Sequence, residues 1–101
     1  MVLEVAILDV IPSLQESFEE SFREASPLIA ASTGYISHEL RKCIEKSNRY
    51  LLLVQWQTLE DHTVGFRGSE RYAEWKRLLH EFYEPFPVVE HYVEMGVLGF
   101  R

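Results

Sequence analysis

One cysteine, one asparagine and two methionines occur in 101 residues, and no run of lysine and arginine exceeds two. Each scarcity closes off a class of protein. Cys43 has no partner for an intrachain disulfide, excludes a CxxC redox site, and suits a reducing, cytoplasmic setting. Ten basic residues against sixteen acidic ones leave a net charge of −6. Scattered cations cannot neutralise a phosphate backbone, so nucleic-acid binding is not expected. Apolar residues nowhere run to the roughly 18 that a membrane span needs, and no basic-then-apolar leader pattern is seen. There is no glycine-rich phosphate loop and no GxSxG elbow, which removes support for nucleotide-dependent and serine-hydrolase mechanisms. The four histidines fall into none of the HxH, HxxxH or HExxH spacings, so neither a metal nor another cofactor is expected.

What is present is ordinary for a globular protein: 47% hydrophobic and 26% charged residues, with a rich 13% aromatic share. The length fits one domain, with a core over residues 2–95 and a tail, Gly96–Arg101, that the pattern does not place. Val2–Ile11 is apolar on nearly both faces, interrupted only by Glu4 and Asp9, and reads as a strand covered on both sides. Ser13 with Glu16 has capping-box spacing, and Leu14, Phe18, Phe22, Ala25 and Ile29 form one helical stripe after it. Tyr35–Cys43 reads as a second strand with Ile36, His38 and Leu40 on one face, and Cys43 as a small apolar filler. Arg49–Gln57 reads as a third strand, whose Leu52, Val54 and Trp56 share that face if Cys43 pairs near Arg49. Thr58 with Asp61 opens a short helix, Leu59–Phe66. Gly68 breaks it, and Ser69 caps a helix over Glu70–Tyr83 with Tyr72, Trp75, Leu79 and Phe82 inward. Val88–Met95 is the fourth strand. The order βαββαβ with right-handed crossovers predicts a ferredoxin-like α+β fold, a four-stranded antiparallel sheet with helices on one face. The other face stays apolar in strands one and three, so a second copy of the chain is expected to cover it.

These residues resemble the antibiotic biosynthesis monooxygenase (ABM) family. The resemblance rests on Gly34–Tyr35 opening strand two, Asn48–Arg49–Tyr50 entering strand three, and Trp56 ending it. Leu59–Glu60–Asp61–His62 and Phe66–Arg67–Gly68–Ser69 continue it, and it spans about residues 2–95. It implies a homodimer built as a dimeric α+β barrel, with a cleft in each protomer between sheet and helices. Many members carry a histidine three residues before the serine that opens the long helix, where this chain has Phe66. The haem-degrading branch has a tryptophan there, an asparagine on strand one and an iron-ligating histidine one helix later. Here the only asparagine is Asn48, in a turn, and no histidine lies between His62 and His80. Haem degradation is therefore not expected.

The candidate base is His62, one helical turn before Phe66, or His38, on the strand face toward the helices; imidazole titrates near neutrality. Either is equally readable as structural: His62 as a surface histidine beside Asp61, His38 as a core histidine bonded to the backbone. Trp56 can stack a flat substrate or simply fill the core. Phe66, Tyr72, Trp75, Phe82 and Tyr83 share that ambiguity as pocket walls. Two function classes follow. One is a cofactor-independent monooxygenase of a small phenol or quinol; the other is a non-catalytic dimeric module that binds a small aromatic or hydrophobic ligand. A dimer with a filled gap and no ligand is a third.

Overall fold

The computed structural model describes residues 1–99; Phe100 and Arg101, the end of the unplaced tail, lie outside the described residues. Strand β1 (Val2–Asp9) leads to helix α1 (Gln15–Ala30), then β2 (Tyr35–Lys42) and β3 (Arg49–Trp56). A π-helical turn (Asp61–Phe66), helix α2 (Glu70–Leu79), a 3-10 turn (His80–Phe82) and β4 (Val89–Tyr92) follow. The strands form one antiparallel sheet in the order β2-β3-β1-β4. The expected ferredoxin-like βαββαβ arrangement is what forms.

Alternation decides the sheet's faces. Glu4, Ala6 and Leu8 of β1 and Tyr50, Leu52, Val54 and Trp56 of β3 point to the helices and are buried. Phe18, Phe22, Ala25 and Ile29 of α1 and Trp75 and Leu79 of α2 close over them. Each large apolar side chain buried this way contributes roughly 1.5–3 kcal/mol. On the other face Leu3, Val5, Leu51 and Leu53 are half-covered and Ile7 is 41% exposed.

The Cys43–Arg49 pairing forms, with the Cys43 amide donating to the Arg49 carbonyl at 2.9 Å. His38 and Leu40 then lie opposite Val54 and Leu52 as expected. Ile36 does not share their face. A bulge between Tyr35 and Ser37 shifts the register, so Tyr35 pairs with Trp56 and Ile36 is left 41% exposed. Ser13 is not a helix cap either. Leu14 takes the cap position without a side-chain bond, and Ser13 has φ +78°. The Leu14 amide bonds the Ile11 carbonyl at 3.0 Å across Pro12–Ser13, so a tight turn uses the residues that the cap would need.

The later caps form as read. The Asp61 amide donates to Thr58 Oγ1 (3.1 Å) and the Thr58 amide to Asp61 Oδ2 (3.2 Å), a reciprocal box. Gly34, at φ +82°, lies against that Asp61 carboxylate, where a Cβ would collide. Ser69 Oγ accepts from the Tyr72 amide at 3.2 Å. Helix α2 stops at Leu79 instead of running to Tyr83, because the chain tightens into the 3-10 turn and Tyr83 turns extended to bridge Val10. Strand β4 is shorter than expected, Val89–Tyr92, since it pairs only with Leu3–Ala6 of β1.

Candidate functional site

A cleft of about 330 Å³ opens between the sheet and the π-helix–α2 layer. Its floor is Glu4, Ala6 and Leu8 of β1 with Leu52 of β3. Its walls are mainly rings: Phe66, Tyr72, Trp75, His80, Tyr83 and Phe86. His62 and Arg67 supply polar groups at one end. An aromatic slot with a few convergent polar groups is the usual form of a small-molecule site.

The polar end is assembled from three elements. The Thr58–Asp61 cap starts the π turn that turns His62 inward, and its ring is buried, 3% exposed. Trp56 and His62 lie nearly parallel, 17° apart with centroids at 5.3 Å. The indole Nε1–H of Trp56 donates to Glu4 Oε1 at 2.9 Å, and His62 Nε2 lies 3.4 Å from the same oxygen. On its other side His62 Nδ1 is 2.7 Å from His91 Nε2. The β1–β4 register places His91 directly opposite Glu4. A carboxylate and two imidazoles thus run in line from the cleft floor to an edge strand.

Burial sets their electrostatics. It raises the Glu4 carboxyl above its ordinary value, against the Trp56 hydrogen bond and the charge of Arg67, which pull it down. It pushes His62 down to about 3, helped by Arg67 and His91, so the ring is neutral at physiological pH. His91 is lowered by burial and then by Arg67. His80 is lowered by burial and then by Lys76. The Tyr83 phenol is raised by burial and then by Tyr72, and stays protonated.

The structure brings His62, Phe66, Tyr72, Trp75 and Tyr83 together around the cleft. Trp56 is fully buried behind His62 and holds Glu4. Phe82 packs against Phe18 in the core. His38 faces α1 instead of the cleft: Nδ1 bonds the Tyr35 hydroxyl (2.5 Å) and Nε2 the Ser26 hydroxyl (3.2 Å). Glu4, Arg67, His80 and His91 were not singled out as site residues from sequence. For Glu4 a signal existed, since it has the same strand parity as the buried Ala6 and Leu8. His91 becomes a partner only through the β1–β4 pairing, which no local pattern encodes.

Among the described residues no group of three or more His, Cys, Asp or Glu side chains is arranged to hold a metal ion, and no helix is long and apolar enough to cross a membrane.

Comparison with known proteins follows the same line. The sequence profile of the antibiotic biosynthesis monooxygenase family matches residues 1–78. YczJ of Bacillus subtilis (strain 168), an uncharacterized protein, is 56% identical over 95 residues, covering 94% of this chain and 100% of YczJ. A crystal structure from Bordetella bronchiseptica, assigned to the same monooxygenases, superposes with a TM-score of 0.90 at 33% identity, covering 93% of this chain and 96% of that one. SnoaB from Streptomyces nogalater, a cofactor-independent oxygenase, superposes at 0.82 with 16% identity over 98% and 97% of the two chains, a likeness of fold.

Proposed function

The chain belongs to the antibiotic biosynthesis monooxygenase family, and on that premise we propose that it is a cofactor-independent monooxygenase of a small electron-rich aromatic, a phenol or quinol. One observation carries the reading: a neutral buried imidazole and the Glu4 carboxyl group meet in a cleft walled by aromatic rings. The fold shared with SnoaB, a cofactor-independent oxygenase, is consistent with it.

The chemistry asks little of the protein. Loss of a proton from an acidic phenol gives a delocalised anion that reduces oxygen by one electron, and recombination forms a carbon–oxygen bond. For an anthrone-type CH2 the balance is CH2 + O2 → C=O + H2O; the proton removed first is returned to the peroxide before water leaves. The site must then take up a proton, hold a flat anion and exclude water. In this reading the Glu4–His62 pair takes the proton, Arg67 offsets the anion's charge, and Phe66, Tyr72, Trp75 and Tyr83 hold the ring. His62 is preferred to His38 because the latter is tied to Tyr35 and Ser26 on the α1 side.

A second reading, a ligand-binding module without turnover, is favoured by the two nitrogens of His62, which lie against Glu4 and His91. Oxygen uptake with a panel of anthrones and hydroquinones separates the two. Uptake with consumption of the aromatic supports the enzyme. Saturable quenching of Trp75 fluorescence with no uptake overturns it in favour of the binder. In either reading a second copy of the chain covers Leu3, Val5, Ile7, Leu51 and Leu53, and light scattering at the elution peak should give a dimer mass.

A further inference from the structure

We infer that Glu4, His62 and His91 form a proton relay that links the cleft to the edge strand β4, with Glu4 as the group that meets the substrate. This deepens the reading above and rests on it for the substrate class. Its geometry stands independently.

Three observations carry it. First, both ring nitrogens of His62 face side chains: Nε2 lies 3.4 Å from Glu4 Oε1 and Nδ1 lies 2.7 Å from His91 Nε2. A histidine placed between a carboxyl group and a second imidazole can hand a proton from one to the other through its two ring nitrogens. Second, the Trp56 bond and the His62 contact both fall on Glu4 Oε1, while Glu4 lines the cleft floor. Among the described residues its other oxygen takes no hydrogen bond, which leaves it for a ligand in the cleft. Third, the line ends on His91, half-buried on an outer strand of the sheet.

The transfer balances. The substrate proton moves to Glu4, giving the neutral acid. Rotation of the carboxyl group brings the protonated oxygen to His62. With His62 in its Nδ1–H tautomer, Glu4 passes the proton to Nε2 as Nδ1–H passes its own to His91 Nε2, and His91 releases the proton on Nδ1. One proton enters and one leaves, Glu4 returns to its carboxylate, and both rings end neutral in the other tautomer. No imidazolium has to persist in a buried site, where its charge is strongly disfavoured. The reverse sequence returns the proton to the peroxide.

Two variants test this. Glu4→Gln keeps an oxygen for the Trp56 N–H and removes the proton acceptor; His91→Gln keeps a hydrogen bond to His62 and removes the second imidazole. On a substrate found in the uptake panel, Glu4→Gln should lower kcat at least a hundredfold. His91→Gln should lower kcat about tenfold with KM within twofold of the parent. An unchanged kcat in folded His91→Gln overturns the relay. A readout free of turnover is the nitrogen-15 spectrum of the imidazoles. In the parent protein His62 and His91 should both be neutral at pH 7, with a through-hydrogen-bond coupling between His62 Nδ1 and His91 Nε2. Absence of that coupling also overturns the relay. If no substrate is oxidised while the two rings couple, the monooxygenase reading fails and the proton path stands.

Discussion

Replacing His62 by phenylalanine should flatten the acid side of the stability curve. The ring lies nearly parallel to Trp56 at 17° and close to parallel with Phe66 at 28°, so phenylalanine fills the same slot. In the folded protein the imidazole is held neutral down to about pH 3, whereas in the unfolded chain it takes a proton near 6.5. A basic group with a depressed folded pKa has the unfolded state binding more protons, so stability is lost as pH falls through 6.5 and goes on falling until the folded pKa is reached. The full slope is about 1.4 kcal/mol per pH unit, which gives a loss of about 2 kcal/mol between pH 7 and pH 5 that the variant lacks. The charged and titratable groups that face His62 are Glu4, His91 and Arg67, all retained in the variant. Glu4, raised by burial, works the other way in both proteins: its protonation on acidification favours the folded state. Urea melts followed by far-UV circular dichroism at pH 7, 6 and 5 give the two curves. Parallel losses in parent and variant would refute the buried, neutral assignment of His62.

Three further outcomes follow from the packing. Trp56→Phe keeps the aromatic core but removes the donor to Glu4 Oε1, and should cost about 1–3 kcal/mol in urea melts through the buried carboxylate left without it. Gly34→Ala should cost roughly 2 kcal/mol or more in the same assay, because the added methyl combines a φ of +82° with a collision on the Asp61 side chain; a neutral result would refute the close approach. Ser69→Ala should cost about 1 kcal/mol and leave ligand quenching of Trp75 unchanged, since Ser69 Oγ serves the Tyr72 amide at the start of α2.

The fold was legible in the sequence where a signal was local. Alternation in Arg49–Trp56 gave the third strand and its inner face, and Thr58, Gly68 and Ser69 gave the punctuation between Trp56 and α2. The bulge at Tyr35–Ser37 was not legible, because a strand of mixed polarity carries no burial pattern strong enough to expose a slip in register. Ser13 failed for another reason: capping and turn chemistry use the same residue types, and Pro12 decided for the turn. In the site, His62 and the ring walls came from helical spacing. Glu4 and His91 reach His62 only through strand pairing between the two ends of the chain, and separate positions in a sequence do not reveal their contact.

The π turn at Asp61–Phe66 has a consequence for length variation. Its wide hydrogen bonding, seen in the Arg67 amide donating to the His62 carbonyl at 3.1 Å, accommodates one more residue than an α-helical path between the same anchors. Deleting one residue from Thr63–Gly65 would let the segment wind as a common α-helix and leave Trp56 and Ser69 in place. It would also put His62 and Phe66 three residues apart instead of four, with the two anchors keeping nearly the same relative direction because the tighter α-helical path replaces the wider one. The shortened chain would keep its fold and keep His62 on the side of the turn that faces Glu4. One residue can thus be lost from this segment with the polar end of the cleft left in place, so length varies here without cost to the rest of the architecture.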